Sequence, residues 1–160
     1  MTINRTALAL VSPVLPERIA DYLLEKLGKR LKAELCDKLT DDFLEFLLEA
    51  MEGAFILSPS YCENIRDFQG TLVFATANQG VAMTALYKHG KMTVNKHAIV
   101  PCDVQVTFTN AKALWSFLLS KNQDVLDSIL QNTVEVEGNL NYLYRFGFLA
   151  RDLTHRIGVA

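Results

Sequence analysis

The chain has 160 residues, of which 50% are hydrophobic and 21% are charged, and its formal net charge is −2. This length suits one domain with a sizeable core, and the small negative charge without a basic stripe argues against nucleic acid as a partner. No apolar run reaches the ~18 residues that a membrane-spanning helix needs, so the sequence predicts no transmembrane helix. Three widely spaced cysteines, Cys36, Cys62 and Cys102, predict free thiols in a reducing cytoplasm.

The first third of the chain predicts two helices. Residues 6–16 form an apolar stretch without a convincing signal-peptide cleavage site, so we expect them in the mature protein. Residues 17–35 place leucines four apart on one face, which is typical of an amphipathic helix. Its other face is basic, which favours a solvated surface over a contact with anionic lipid head groups. Residues 43–52 predict an acidic amphipathic helix capped by residues 40–42.

Gly53 is expected to end the second helix, and residues 54–57 are expected to form a short edge strand before a loop rich in Ser, Pro and Asn. The basic first helix and the acidic second helix can pair with each other, but exposed ion pairs contribute only ~0 to 1 kcal/mol each, so packing must fix their arrangement. We therefore predict a helical extension at residues 1–53 that packs on a domain formed by residues 54–160.

The middle of the chain alternates apolar and polar residues, which is typical of strands with one buried face. Two consecutive hairpins are expected, the second closed by a His89-Gly90 turn. Together with two later strands they predict an α+β domain whose sheet has about five mainly antiparallel strands, with the helices mostly on one face. The predicted strands are residues 71–77, 80–87, 87–94, 103–109 and 133–137.

Three helices are predicted around the last strand. Asn110 is expected to cap a helix at residues 111–120 that is apolar almost all round, so other elements or a bound apolar molecule must cover it. Residues 124–131 predict a short helix with one apolar face formed by Val125, Leu126, Ile129 and Leu130. Asn139 is expected to cap a long C-terminal helix, after Gly138 ends the strand.

Three segments in this order resemble the sterol carrier protein 2 (SCP2) lipid-binding domain family: the hairpin at residues 89–94, the strand at 103–108, and Val134-Glu-Val-Glu-Gly-Asn139 opening the last helix. The resemblance covers roughly residues 70–153. Asn139 stands where the family more often has Asp, and either residue can cap a helix. The resemblance implies an SCP2-like fold and non-enzymatic binding of a sterol, fatty acyl or polyprenyl-quinone-type lipid in a tunnel between the sheet and the C-terminal helices.

Two parts of the chain together also resemble bacterial SCP2-domain accessory factors of ubiquinone biosynthesis: the start, with its prolines and amphipathic helix, and residues 123–153, which run without a break into the last helix. Those factors carry a basic pair before the Val-Glu-Gly strand, where this chain has Gln131-Asn132. This resemblance implies an alternative function, in which the chain is an assembly or interaction subunit that presents ubiquinone precursors to a biosynthetic enzyme.

The candidate ligand contacts are apolar residues on the inward faces of the strands and C-terminal helices. Periodicity alone cannot distinguish a lined tunnel from a filled core, and only the family resemblance favours the tunnel. The residues are Met83, Val104, Val106, Phe108, Leu114, Trp115, Phe117, Leu118, Ile129, Leu130, Leu143 and Phe146.

The sequence nominates no catalytic residue, no metal site and no cofactor, since it contains none of the common phosphate-binding, metalloprotease or nucleophile motifs. Glu135 and Glu137 lie on one face of a strand, ~7 Å apart, and alternating glutamates are ordinarily a solvated face. A helical wheel places Phe148 on the solvent side of the last helix with Tyr144 one turn earlier. We interpret these two aromatic residues as a contact surface for a membrane, for a second copy of the chain in a homodimer, or for the N-terminal helices.

Overall fold

A computed structural model describes residues 17–37, 42–78, 81–110, 113–114, 116–117 and 125–158. Helices at the start of this region precede a five-stranded sheet, a short helix lies between its last two strands in the sequence, and one long helix follows the sheet. The helices are α1 (Glu17–Asp37), α2 (Asp42–Leu57), α3 (Pro59–Cys62), a single 3-10 turn (Glu63–Ile65), α4 (Val125–Leu130) and α5 (Leu140–Arg156). The strands are β1 (Gly70–Thr76), β2 (Ala82–Lys88), β3 (Lys91–Asn95), β4 (Val104–Phe108) and β5 (Val134–Gly138).

The five strands form one sheet in the order β3-β2-β1-β4-β5. Only β1 and β4 pair in parallel, and the other three pairs are antiparallel. The predicted α+β class and mainly antiparallel five-stranded sheet are therefore confirmed. His89 and Gly90 both have positive φ angles, 52° and 68°, as a two-residue hairpin turn requires.

The core lies between one face of the sheet and the helices. Leu72 and Phe74 of β1 pair with Val104 and Val106 of β4, and all four are completely buried. The Phe74 ring lies 4.6 Å from that of Phe146 on α5. α2 reaches the same face, so the helices cover one side of the sheet, as the sequence predicts.

The second helix is longer than the sequence predicts. α2 continues through Gly53 to Leu57, so the predicted edge strand at residues 54–57 is wrong. Ala54, Phe55 and Leu57 are all buried, and their burial outweighs the ~1 kcal/mol by which glycine disfavours a helix. The domain boundary predicted at residue 53 falls inside α2, a helix that packs against both α1 and β3.

Two predicted helix caps are present. The Asn110 Oδ1 atom accepts a hydrogen bond from the Ala113 N–H at 2.9 Å, and residues 113–114 and 116–117 are helical, while the rest of that predicted helix lies outside the described residues. The Asn139 Oδ1 atom accepts from the Asn141 N–H at 3.0 Å and starts α5. The cap predicted at residues 40–42 falls largely outside the described part of the chain.

Candidate functional site

Most of the predicted ligand contacts lie in the core. Met83, Leu114, Phe117 and Leu143 are at most 5% exposed. Val104, Val106, Phe108 and Phe146 have no accessible surface, so water-sized space adjoins none of them. In this structure these eight side chains fill the space between the sheet and the helices, and their role as ligand contacts stays a prediction.

The remaining predicted contacts are placed differently. Ile129 is partly buried against the core, whereas Leu130 is 79% exposed. The prediction that Leu130 shares the buried face of α4 is therefore wrong, because α4 spans only Val125–Leu130 and its last residue turns to solvent. Trp115 and Leu118 lie outside the described residues.

An open cleft of about 580 Å³ lies between the segment that leads into β1 and the first two turns of α5. Its volume is within the usual range for small-molecule sites. Gly70 permits this arrangement, since a β-carbon added there would lie 2.3 Å from the Tyr142 ring. The cleft is lined by Asp67, Phe68, Gln69, Asn141, Tyr142 and Arg145.

Aromatic rings form the wall of the cleft and connect it with the core. The Phe68 ring lies 5.7 Å from the Tyr142 ring and 4.8 Å from the Tyr87 ring. The Arg145 guanidinium lies 5.7 Å from the Phe68 ring centroid and donates a hydrogen bond to the Asn64 carbonyl at 2.5 Å. The cleft thus combines an apolar wall with one positive charge, on Arg145, and one negative charge, on Asp67, a combination that suits an amphiphilic ligand with a polar head group.

Two buried tyrosines behind this wall differ in their hydrogen bonding. The Tyr61 hydroxyl donates to the Leu149 carbonyl at 2.7 Å. The Tyr87 hydroxyl is buried and has no hydrogen-bond partner among the described residues. Burial raises the pKa of both phenols well above their ordinary range. Both therefore stay protonated at neutral pH, and Tyr87 carries a neutral hydroxyl that can still donate or accept a hydrogen bond.

The two aromatic residues predicted to form a contact surface are exposed on α5. Tyr144 is 49% exposed and Phe148 is 53% exposed. Their positions agree with the helical wheel, and their role as a contact surface stays a prediction. Neither residue lines the cleft, although Tyr144 lies between Tyr142 and Arg145 in the sequence.

The described residues contain no group of three or more His, Cys, Asp and Glu side chains that could hold a metal ion. Cys62 and Cys102 are free thiols, and the Cys62 thiol donates to the Gly90 carbonyl at 3.4 Å. None of the described helices is both long enough and apolar enough to cross a bilayer.

Sequence reasoning missed the cleft because its two sides, residues 67–69 and 141–145, lie more than 70 residues apart along the chain. Phe68 falls in a segment that the sequence predicts to be a loop, and Tyr142 and Arg145 lie near the start of a helix. An aromatic residue two positions before a strand was the one available signal. Nothing in the sequence spacing shows that this residue faces α5.

No protein-family model and no curated protein sequence matches this chain. Among solved structures, the apo sterol carrier protein 2 of Yarrowia lipolytica is similar with a TM-score of 0.56 at 13% identity, covering 73% of this chain and 94% of that protein. The SCP2 domain of the ubiquinone synthesis protein UbiJ is similar with a TM-score of 0.51 at 18% identity, covering 61% of this chain and 79% of that domain. The chain therefore has the SCP2 fold, as the sequence resemblance implies.

The inverting sec-alkylsulfatase Pisa1 of Pseudomonas sp. also contains a similar region. Its TM-score is 0.50 at 20% identity, and the match covers 61% of this chain but only 16% of the sulfatase. The likeness is thus to a small part of a larger enzyme. It adds a further example of the fold.

Proposed function

We propose that this chain binds and carries an amphiphilic lipid without catalysing a reaction on it. The polar head group lies in the cleft beside Arg145, and the apolar part runs along Phe68 and Tyr142. For the apolar part to continue between the sheet and α5, the side chains that fill that space must move apart. Two of the predicted contacts, Leu143 and Phe146, lie on the following part of α5. Burial of ten methylenes contributes about 8 kcal/mol before the ordering of ligand and side chains is subtracted.

The observation that carries this proposal is the buried Tyr87 hydroxyl behind the cleft wall, which has no hydrogen-bond partner in the described part of the chain. A buried polar group without a partner costs about 1–3 kcal/mol, and the Tyr87 ring contacts Phe68, which lines the cleft. A side-chain rotation of Phe68 gives a ligand oxygen access to this hydroxyl. Sterols, fatty acyl chains and polyprenyl quinones all carry such an oxygen on an apolar body, so the site suits this whole class of lipids.

Native mass spectrometry of the gently purified protein, followed by solvent extraction and lipid mass spectrometry, tests the proposal. We expect a co-purifying lipid of definite mass, or binding of added palmitate or cholesterol at micromolar concentration. A protein that retains no lipid and binds neither probe would contradict lipid carriage.

A matched pair of tryptophan substitutions tests the location of the site. Gln69 and Thr93 are both exposed, but only Gln69 lines the cleft. Gln69→Trp should reduce the occupancy and affinity of the lipid at least tenfold by filling the cleft, whereas Thr93→Trp on the outer face of β3 should leave both unchanged. Equal binding by the two variants would place the lipid elsewhere.

The exposed aromatic residues of α5 favour a second candidate function, that of an assembly subunit. Tyr144 and Phe148 are about half exposed on adjacent turns, and large exposed aromatic side chains are common at interfaces. In this case the chain is an accessory factor that presents ubiquinone precursors to a biosynthetic enzyme, forms a homodimer, or rests on a membrane. Phe148→Ser should then change the oligomeric state or liposome association, and a lipid-free dimer of the wild type would favour this function over carriage.

A further inference from the structure

The two edges of the sheet differ in how their backbone groups are satisfied. At the β3 edge, the Glu52 carboxylate of α2 accepts a hydrogen bond from the Val94 N–H at 3.3 Å. Next to it, Lys96 forms an ion pair with Glu45 and lies 3.6 Å from Glu49. α2 therefore covers this edge and prevents another strand from pairing with it.

At the β5 edge the backbone groups point away from the protein. The Thr109 N–H donates to the Thr133 carbonyl at 3.2 Å, and the Asn139 N–H donates to the Asp103 carbonyl at 3.0 Å, at the two ends of the β4–β5 pair. Bonded and non-bonded pairs alternate in an antiparallel ladder. Glu135 and Glu137 must therefore bond to β4, and the residues between and beside them direct their N–H and C=O groups outward.

The outward-directed residues are Val134, Val136 and Gly138. Within the described part of the chain, their N–H groups have no hydrogen-bond partner. The outward groups of Val136 and Gly138 are accessible, since Val136 is half-buried and Gly138 is exposed, whereas Val134 is buried. The β5 edge thus offers the N–H and C=O groups of Val136 and Gly138 to a further strand.

The charges on β5 select among the strands that could pair with this edge. Glu135 and Glu137 are exposed and form no ion pair with any described residue. If two copies of β5 paired about a two-fold axis at Val136, Glu135 of each copy would face Glu137 of the other. Like charges directly opposite each other are destabilising. The edge therefore disfavours a second copy and favours a strand with basic side chains opposite the glutamates.

We propose that the β5 edge binds an extended segment of a partner protein in which basic and apolar residues alternate. The partner's backbone pairs with Val136 and Gly138. Its basic side chains face Glu135 and Glu137, and its apolar side chains lie next to Val136 on the side of the sheet that faces the core. Strand addition of this kind gains affinity from backbone hydrogen bonds and specificity from alternate side chains. The inference does not depend on lipid binding.

Calorimetric titration of the full chain with capped seven-residue peptides tests this proposal. A peptide of alternating Lys and Val should bind at least tenfold more tightly than the same peptide with Glu in place of Lys, and its affinity should fall with added salt. The double variant Glu135→Lys/Glu137→Lys should reverse this preference. The matched control Glu17→Lys/Asp21→Lys makes the same change of charge at exposed positions on α1 and should retain the wild-type preference.

Two further measurements separate strand pairing from simple charge attraction. Val136→Pro removes one outward N–H but no bond to β4, so it should weaken the Lys-Val peptide at least tenfold. If circular dichroism shows that this variant is unfolded, the wild-type chain is titrated instead with a Lys-Val peptide that is N-methylated on the residues whose backbone faces β5. The affinity for this peptide should also be at least tenfold weaker. Two results would overturn the proposal. In the first, Val136→Pro or the N-methylated peptide leaves the affinity equal to that of the wild type for the unmodified Lys-Val peptide. In the second, the wild type binds the Lys-Val and Glu-Val peptides equally well.

The single variant Glu135→Lys supplies an independent test of the open edge. In the two-fold pairing of β5 with a second copy, the introduced lysine of each chain faces Glu137 of the other, so this variant should dimerise in light scattering while the wild type stays monomeric. A wild-type dimer that the double charge reversal dissociates would overturn the assignment of a basic partner. Lipid occupancy, measured on the same samples, should not change, so failure of this proposal and failure of lipid carriage give different results.

Discussion

The β3 half and the β5 half of the sheet share one core but differ in how completely they are closed. In the β3 half, Phe55 of α2 stacks on Tyr61 at 4.2 Å and contacts Tyr87 at 6.3 Å, and Glu52 covers the strand edge. In the β5 half, Val136 is only half-buried and the edge is open. We infer that α1 and α2 stabilise the β3 half, while the β5 half keeps surface available for recognition.

The largest expected effect comes from the closed half. Phe55→Ala should lower the free energy of unfolding by about 3–5 kcal/mol, because it removes a buried ring and leaves a cavity between Tyr61 and Tyr87. Val136→Ala should cost only about 1 kcal/mol, since its side chain already contacts solvent. Urea denaturation of both variants measures the two losses of unfolding free energy, which we expect to differ about three- to fivefold. Similar losses would show that the two halves are equally closed.

The sequence pattern predicted the β5 half better than the β3 half. The strands at residues 103–109 and 133–137 and the Asn139 cap follow from alternation and capping rules, because neighbouring residues determine them. The sequence predicts that α2 ends at Gly53, because helix propensity depends on local residues. The burial of Phe55 against Tyr61 and Tyr87, which extends the helix, is a tertiary contact. Tertiary packing thus overrode the local glycine signal.

A second large effect is expected where β5 meets α5. Gly138 has a φ of +108°, and a β-carbon added there would lie 2.3 Å from the Asp103 carbonyl oxygen. Gly138→Ala should therefore lower the unfolding free energy by about 1–3 kcal/mol through backbone strain. The exposed variant Glu137→Ala, one residue earlier, serves as the control and should change stability by less than about 0.5 kcal/mol. A stable Gly138→Ala protein would mean that β5 can shift away from β4.

A third prediction contrasts the two buried tyrosines of the closed half. Tyr61→Phe should lose about 1 kcal/mol with its hydrogen bond to Leu149. Tyr87→Phe should be neutral or stabilising by up to about 1 kcal/mol, since it removes no hydrogen bond to a described residue. Thermal and urea unfolding measure both changes. A loss in Tyr87→Phe equal to that in Tyr61→Phe would show that the Tyr87 hydroxyl has a partner in solution.

The same tyrosines predict a loss of stability at alkaline pH. Burial raises the pKa of Tyr87 above its ordinary value of 10.0, so the folded state holds a proton that the unfolded state releases. The contribution of this protonated phenol to the free energy of unfolding is fully present below pH 10. It is lost as the pH rises from 10 toward the pKa of Tyr87 in the folded state. Tyr87→Phe should therefore unfold less steeply with pH above 10 than the wild type does.

The candidate site could be predicted only in part. Apolar periodicity identified the core residues that the SCP2 resemblance assigns to a ligand, but it cannot show whether side chains enclose a ligand or one another. The cleft depends on Phe68 meeting Tyr142, a contact across more than 70 residues that no local pattern encodes. The exposure of Phe148 was predictable because a single helix geometry determines it.

The smallest expected effect concerns the ion pair at the closed edge. The hydrogen bond to Glu45 raises the pKa of Lys96, whose side chain is 52% exposed. Because solvent screens this pair, Lys96→Met should cost only ~0.2–1 kcal/mol, and 1 M salt should remove most of the difference from the wild type. Urea denaturation at low and high salt measures this, with Lys91→Met at an exposed position on β3 as the control. A loss above 2 kcal/mol, or one that salt leaves unchanged, would mean that the Lys96 ion pair closes the β3 edge. The packing of α2 and the hydrogen bond from Val94 to Glu52 would then not be the main cause of closure.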